Sequence, residues 1–366
     1  MRFFLLDNRD CNTFKVASKG KIFSFECFKS LLKSSLLLSL CFLLNSCATT
    51  SVKSIKINGV SFVASRDSIT SKHIQPIINI NANYAAIMPF GFIKNLQHPN
   101  IVFDTERQWF GETKAGAKQY AKELKKQQIK IMIKPQIWIW KGEFTGNIKM
   151  NNEVDWKVLE NAYAEFILNY ADLAENIDAD IYCIGTELEK FVENRPGFWV
   201  DLIKKVKAIY KGKLTYAANW NEYEKTPFWK TVDFIGIDAY FPVSKSKTPT
   251  VAECLEGWEK HKITIQEHSK KYNKPILFTE FGYRSVDFSG KAPWESDRNL
   301  GNVNMEAQSN TTQALFDTFW EEDWFAGGFI WKWFHNYERI DGKNNNMFTP
   351  QRKPVEAIIK QAYFIN

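Results

Sequence analysis

Short apolar runs alternate eight times with longer amphipathic runs between residues 57 and 366, and this alternation is the strongest constraint on the fold. It is typical of parallel α/β proteins, because consecutive parallel strands need a crossover connection that is usually a helix. An open doubly wound sheet would alternate in the same way, but no glycine-rich phosphate loop follows the first strand. We therefore predict an α/β fold consisting of a single (β/α)8 TIM barrel over residues 57–366.

Each predicted repeat pairs one β-prone run with one run of helical periodicity. The predicted strands cover residues 59–64, 84–88, 130–136, 180–186, 213–218, 233–240, 275–280 and 327–333. The predicted helices cover residues 71–80, 114–127, 155–175, 197–210, 222–229, 251–272, 305–322 and 353–362.

Residues 1–46 are predicted to be a secretory leader that ends in a lipobox. Their apolar run, 36–44, follows basic residues and is too short to span a membrane, since a spanning helix needs about 20 apolar residues. The tetrapeptide at 44–47 resembles a bacterial lipobox, so we expect Cys47 to be lipidated and 47–56 to be a tether. An ordinary signal peptide with a chance cysteine is the alternative. The lipobox predicts an exported bacterial lipoprotein that reaches the membrane only through its lipid.

Charge and cysteine content exclude several classes of function. The leader carries seven of the 48 basic and three of the 41 acidic residues, which leaves 41 basic and 38 acidic residues beyond it. This near balance argues against nucleic acid as a partner. Beyond Cys47 the only cysteines are Cys183 and Cys254, and neither a CxxC pair nor a Cys/His ligand spacing occurs. We therefore expect no disulfide framework, no metal site and no cofactor.

Two glutamates follow predicted strands on opposite sides of the barrel mouth. Glu187 follows the fourth strand and Glu280 ends the seventh. TIM barrels carry their reacting groups at the carboxyl ends of the strands, and glycoside hydrolysis needs two carboxyl groups across one gap. The pair predicts a glycosidase, although a single strand-end glutamate is more often a rim salt bridge. Glu189 is an alternative acid, and Asp238 inside the sixth strand is expected to be hydrogen-bonded or paired.

Four segments resemble glycoside hydrolase family 113, namely residues 134–136, 183–189, 278–283 and 328–331. That family belongs to a clan of retaining (β/α)8 glycosidases. The resemblance implies Glu187 as the acid/base, Glu280 as the nucleophile, and endo cleavage of β-1,4-mannan by double displacement. Clan members usually carry asparagine before the acid/base to bind the sugar 2-hydroxyl, whereas this chain has Thr186. The contact to that hydroxyl is therefore expected to differ.

Further residues near the mouth are candidates for sugar binding. By resemblance to the clan, Tyr240 is expected to touch the nucleophile and Trp331 to form an aromatic platform under the reacting sugar. Arg66 could donate a hydrogen bond to the nucleophile and keep it ionised. Trp138 and Trp220 could form subsites, although core packing or a solvated loop position is the alternative for these side chains.

The substrate class stays open at this stage. The expected partner is a polysaccharide or oligosaccharide, bound by a monomer. The alternatives to a mannanase are a β-glycanase for another polysaccharide and a glycan-binding lipoprotein whose catalysis has lapsed, because loops rather than the fold decide function on a barrel. Lys134 and Gln136 are expected near the rim, without an assigned role.

Overall fold

The computed structural model describes residues 55–296 and 301–365, and eight of its strands form a closed parallel barrel. In chain order the strands are β1 (Ile57–Phe62), β2 (Tyr84–Ile87), β3 (Phe90–Ile93), β4 (Val102–Phe103), β5 (Lys130–Ile133), β6 (Gln136–Ile139), β7 (Ile181–Thr186), β8 (Lys213–Asn219), β9 (Ile235–Asp238), β10 (Ile276–Phe281) and β11 (Phe325–Trp333). The barrel order is β1-β11-β10-β9-β8-β7-β5-β2, and pairing of β1 with both β11 and β2 closes it. The single TIM barrel is confirmed.

Helices lie between the barrel strands. They are α1 (Ser71–Asn79), α2 (Lys114–Lys126), α3 (Glu153–Asn176), α4 (Glu189–Asn194), α5 (Pro196–Ile209), α6 (Val251–Tyr272), α7 (Met305–Phe319) and α8 (Val355–Ile365). Several begin at a side chain that caps the first turn. Thr250 accepts a hydrogen bond from the amide of Glu253 at the start of α6, for example, and Asn152 accepts one from Asp155 at the start of α3.

The helix predicted over 222–229 is wrong. Turns follow β8, and only a short 3-10 helix, Trp229–Thr231, precedes β9. Pro227 lies inside the predicted helix, where it cannot donate a backbone hydrogen bond and disfavours helical geometry at the residue before it. The Glu222 side chain instead accepts the amide of Asn219 at 3.0 Å and holds a tight turn.

The third predicted strand, 130–136, is two strands separated by Lys134 and Pro135. β5 belongs to the barrel, whereas β6 leaves it and pairs in parallel with β3. Since β3 also pairs antiparallel with β4, these strands form a three-stranded sheet outside the barrel, in the order β4-β3-β6. The sequence pattern did not predict this sheet.

Apolar side chains form two clusters that follow the alternation of the strands. The inner cluster fills the barrel and consists of Ile57, Ala86, Met132, Ile181, Cys183, Ala217, Phe234, Leu277 and Phe329. The larger outer cluster packs the other face of each strand against the helices, as Ile131 and Ile133 do on β5. A strand residue that lies two positions after a member of the inner cluster therefore also points into the barrel, one layer closer to its mouth.

The described part of the chain contains no helix that is long and apolar enough to cross a membrane. Within it, Cys183 and Cys254 are both buried free thiols. The predicted leader, the lipobox and Cys47 lie outside the described residues.

Candidate active site

Strand alternation brings the charged side chains of Lys134, Asp238 and Glu280 together above the inner cluster. Lys134 lies two residues beyond Met132 of that cluster, so it points into the barrel as well. On β10 the register against β9 shifts between Phe278 and Glu280. A bulge of this kind changes the direction of a side chain, and both Thr279 and Glu280 consequently contact groups inside the barrel.

Lys134 bridges two buried carboxylates. Its ammonium lies 3.2 Å from Oδ1 of Asp238 and contacts Oε1 of Glu280. Burial alone would lower the pKa of Lys134, but the charges of Asp238 and Glu280 outweigh it and raise that pKa. Burial and the neighbouring charge of Glu280 raise the pKa of Asp238 to about 7, although Lys134 and a 2.7 Å hydrogen bond from Thr279 oppose this. Lys134 therefore stays protonated, and Asp238 is hydrogen-bonded and paired as expected.

Glu280 accepts three hydrogen bonds from side chains. Besides Lys134, the amide of Gln136 donates to Oε1 at 2.9 Å and the hydroxyl of Tyr240 donates to Oε2 at 2.8 Å. Burial, followed by the charge of Glu280, raises the pKa of Tyr240 well above its ordinary value, so its phenol keeps the proton that it donates. Donors on both oxygens favour the ionised form of a carboxyl group. Both oxygens of Glu280 are thus oriented by side-chain donors.

Glu187 has the opposite environment. Its carboxyl group makes no hydrogen bond with any residue of the described chain, and it is only partly exposed. Burial, followed by the charges of Asp238 and Glu280, raises its pKa well above the ordinary value. Its backbone has a φ of 50°, in the left-handed region that is costly for a residue other than glycine, and its amide donates to Ala217 at 2.8 Å. Glu187 is thus held as a protonated acid.

A buried chain of hydrogen bonds supports the segment that carries Glu187. The amide of Leu188 donates to the hydroxyl of Tyr216 at 2.8 Å, and that hydroxyl donates to Oε1 of Glu222 at 2.7 Å. Burial raises the pKa of Glu222 to about 7. The charge of Glu222 also adds to the forces that raise the pKa of Glu187.

Glu189 lies apart from this cluster. It is the first residue of α4, and its carboxylate pairs with Lys225 at 3.1 Å. It makes no hydrogen bond or ion pair with Glu280, and it is not among the charges that act most strongly on Glu187. The geometry therefore favours Glu187 over Glu189 as the acid.

The other candidates for sugar binding occupy different places. Trp331 is half-buried on β11, precedes a cis peptide bond and lies outside both apolar clusters. The Thr186 hydroxyl is buried and makes no hydrogen bond within the described chain. Trp220 stacks on Trp294 with ring centroids 5.1 Å apart, and Trp138 on β6 is 50% exposed.

Arg66 does not contact Glu280, contrary to expectation. Its guanidinium lies 5.6 Å from the ring centroid of Trp109, in a groove of about 500 Å³ that Arg107 also lines. Lys134 and Gln136, rather than Arg66, donate hydrogen bonds to Glu280. Sequence reasoning placed these two residues near the rim but gave them no function. The sequence feature that could have identified Lys134 is a charged residue directly after an apolar strand, which is the same feature that identified Glu280.

The described residues contain no group of three or more His, Cys, Asp or Glu side chains placed to hold a metal ion. Independently of this, the site brings together carboxyl groups in two different environments. One ionised and one protonated carboxyl group at the mouth of a barrel can act as nucleophile and acid in glycoside hydrolysis.

Solved structures with the same fold include two β-mannanases and a larger enzyme. A GH113 β-1,4-mannanase in a complex is 20% identical with a TM-score of 0.74, covering 85% of this chain and 99% of its own. The GH113 β-mannanase AaManA from Alicyclobacillus acidocaldarius, in complex with ManMIm, is 21% identical with a TM-score of 0.73, covering 85% and 97%. A β-glucuronidase from Ruminococcus gnavus, in complex with D-glucuronic acid, is 14% identical with a TM-score of 0.57, covering 84% and 49%. At these identities the likeness shows the fold alone.

Sequence comparison identifies the family. A search of curated protein sequences finds no match. The sequence model of Glycoside Hydrolase Family 113, however, matches residues 64–353, which include both candidate catalytic glutamates and nearly the whole barrel. The chain therefore belongs to glycoside hydrolase family 113.

Proposed function

We propose that this glycoside hydrolase is a retaining endo-β-1,4-mannanase with Glu187 as acid/base and Glu280 as nucleophile. The observation that carries the proposal is the contrast between the two glutamates. Three side chains donate hydrogen bonds to Glu280, whereas none of the described residues donates to the Glu187 carboxyl group. One carboxyl group is thereby prepared to attack and the other to give up a proton.

In the first step, an oxygen of Glu280 attacks the anomeric carbon of the sugar and forms a covalent ester. The bond from that carbon to the glycosidic oxygen breaks, and Glu187 gives its proton to the departing oxygen. The raised pKa of Glu187 favours the protonated form that this step needs. Lys134 balances the charge of the free Glu280 carboxylate before the attack.

In the second step, Glu187 is a carboxylate and acts as a base. It takes a proton from a water molecule, the water oxygen bonds to the anomeric carbon, and the bond to Glu280 breaks. Glu280 returns to its three donors and Glu187 is protonated again. The two inversions leave the anomeric configuration unchanged.

The preference for mannan rests on the relatives, because two structures with this fold are named as β-mannanases of the same family. The hydroxyl of Thr186 is buried and has no hydrogen-bond partner among the described residues. We expect the sugar 2-hydroxyl, which distinguishes mannose from glucose, to be bound by another group at the mouth.

Hydrolysis of defined oligosaccharides tests the proposal. A soluble form that starts at residue 48 is incubated with β-1,4-manno-, gluco- and xylo-oligosaccharides, and the anomer of the first product is followed by proton NMR. We expect internal cleavage of the mannan series with retention. Glu187→Gln and Glu280→Gln should each lose this activity, while Glu189→Gln serves as the matched control and should keep it.

The other outcomes are equally specific. Cleavage of only the gluco or xylo series would retain the mechanism and reject the substrate. Formation of the opposite anomer would reject Glu280 as nucleophile. Tight binding without cleavage by the parent would instead support a glycan-binding lipoprotein.

We also propose that the protein is an exported bacterial lipoprotein, anchored through a lipid on Cys47, with a monomeric barrel. The apolar run 36–44 and the lipobox-like tetrapeptide at 44–47 support this location. Expression in a bacterium that processes lipoproteins should place the full chain in the membrane fraction, and Cys47→Ala should release it. A Cys47→Ala protein that stays with the membrane would reject the anchor, and a dimer in light scattering of the soluble form would reject the monomer.

A further inference from the structure

The three-stranded sheet outside the barrel has one buried and one exposed face. On β3 and β6 the side chains of Ile93, Ile137 and Ile139 enter the outer apolar cluster. Because strand side chains alternate, the residues between them lie on the opposite face. That face carries aromatic rings where a surface sheet would ordinarily carry polar groups.

We define the aromatic sheet face by Phe92, Val102, Trp138 and Trp140. The register pairs Phe92 with both Val102 and Trp138, which places these three side chains in one row across the sheet. Trp140 follows two residues beyond Trp138, and its amide continues the ladder by donating to Ile93 at 3.2 Å. Trp138 is 50% and Trp140 72% exposed. Contiguous exposed aromatic surface of this kind marks a binding site.

The aromatic sheet face begins at the nucleophile. Gln136, the first residue of β6, donates its 2.9 Å hydrogen bond to Glu280. Trp138 and Trp140 follow on the same face at alternate positions, so Trp140 lies roughly 13 Å along the strand from Gln136. A polymer whose reacting sugar sits at Glu280 can therefore extend over this face without leaving the protein.

A groove of about 640 Å³ lies at the far end of the aromatic sheet face. Phe92, Val102 and Trp140 form its apolar lining, and the polar side chains of Lys94, Asn95, His98, Asn100 and Lys141 complete its wall. Flat apolar rings beside amide, imidazole and ammonium groups suit a sugar, which presents C–H faces and hydroxyl edges to its surroundings. A protein partner would fit this groove less well. The core of a protein interface is mainly apolar and aromatic, whereas most of the side chains that line this groove are polar.

We propose that the aromatic sheet face is a distal glycan subsite that binds sugar units of the substrate beyond those at the catalytic glutamates. The inference rests on the proposed hydrolase function and adds a site that selects long chains over short ones. Stacking of sugar rings on Trp138 and Trp140 strengthens binding without altering the reacting bond. The subsite thus lowers the KM for polymer and leaves the reaction of minimal substrates unchanged.

Binding is measured by calorimetry in the Glu280→Gln background, with β-1,4-mannobiose and β-1,4-mannohexaose as probes and the gluco and xylo hexamers in parallel. We expect Trp140→Ala to weaken binding of the best hexamer about tenfold, the scale of losing one ring contact, and to leave the disaccharide unaffected. Trp138→Ala should likewise weaken binding of the hexamer. Phe364→Ala removes a 79% exposed ring from α8 and is the matched control, expected to bind like the parent.

Hydrolysis of an aryl β-mannobioside separates this inference from the proposed function. Loss of aryl glycoside cleavage in the Trp140→Ala enzyme, or equal hexamer affinity in parent and variant, would overturn the subsite. A parent that cleaves nothing but binds a hexamer through Trp140 would support the subsite while rejecting the hydrolase. Absence of binding of all three hexamers to the parent background would reject the subsite outright.

Discussion

The hydroxyl of Tyr240 donates a 2.8 Å hydrogen bond to Oε2 of Glu280, on the opposite oxygen from the donors Lys134 and Gln136. This bond orients the carboxyl group, and in the proposed mechanism it must weaken when the covalent ester forms. Tyr240 therefore acts differently in the two proposed steps. Its hydroxyl stabilises the charged carboxylate of Glu280, and this hydrogen bond weakens when Glu280 loses its charge in the ester.

Replacement of Tyr240 by phenylalanine removes only the donor. We expect kcat/KM to fall roughly tenfold to hundredfold, because a hydrogen bond to a charged group contributes about 1.5–3 kcal/mol. Initial rates on a mannan oligosaccharide measure the change. Tyr337→Phe, which removes a hydroxyl bonded to Glu356, is the control. Equal losses in both variants would assign the effect to packing.

Lys134→Met is expected to lower both activity and stability. The substitution leaves Asp238 and Glu280 buried beside each other without a cation, and breaking a buried ion pair in this way costs about 3–5 kcal/mol. Urea unfolding gives the free energy. Lys114→Met breaks a partly exposed pair with Asp172 and should cost about 1 kcal/mol or less. Adding Asp238→Asn to Lys134→Met should recover stability but not activity. If stability does not recover, the unpaired buried charge is not the cause of the loss.

Glu222 should make the stability of the fold depend on pH. Its pKa is about 7 in the folded state and near 4.5 when unperturbed, so between these values the unfolded chain loses the proton that the folded chain keeps. The contribution of Glu222 to stability is therefore complete below pH 4.5 and is lost as pH rises through 7. Glu222→Gln should become more stable relative to the parent across this window, by about 3 kcal/mol at most.

Urea unfolding of both proteins at several pH values between 4 and 8 measures this difference. Glu224→Gln, at an exposed neighbouring position, should follow the parent at every pH. A constant offset between Glu222→Gln and the parent would mean that Glu222 does not titrate in this range.

An activated leaving group should bypass Glu187. A dinitrophenyl mannobioside needs no proton for departure of its phenol, so Glu187→Gln should release a rapid burst of phenol and then turn over slowly, because the second step lacks its base. Stopped-flow absorbance measures both. Glu280→Gln should show no burst, and a burst in that variant would contradict its role as nucleophile.

The eight barrel strands could be predicted because each is an apolar run bounded by polar turns, a pattern that depends only on neighbouring residues. The extra sheet could not be predicted in this way. The sequence pattern predicts one strand over residues 130–136, and only the tertiary pairing of β6 with β3 shows that the chain leaves the barrel after Pro135. The same local reading placed a helix over Pro227, where a tight turn held by Glu222 formed instead.

The two candidate catalytic glutamates could be predicted because the end of a strand in a barrel is where reacting groups lie. The partners of Glu280 did not stand out in the same way. Lys134 is 146 residues away from Glu280, and its role depends on the register of three strands and on the bulge at Thr279. For the same reason Arg66 appeared suitable as a donor until the position of its side chain over Trp109 was known.

The pairing of β1 with β11 joins the two ends of the domain, and it bears on how the protein is made. Trp320 and Tyr363 donate hydrogen bonds of 2.8 Å to Asn58 and Gly59, so β1 depends on partners that a ribosome supplies last. Until then the nascent chain presents open strand edges that other chains could occupy. Contacts this distant in sequence also slow folding. A chain of this kind benefits from folding only after β11 has been synthesised. Loss of residues 317–366 would remove β11 and leave β1 without a neighbouring strand on that side.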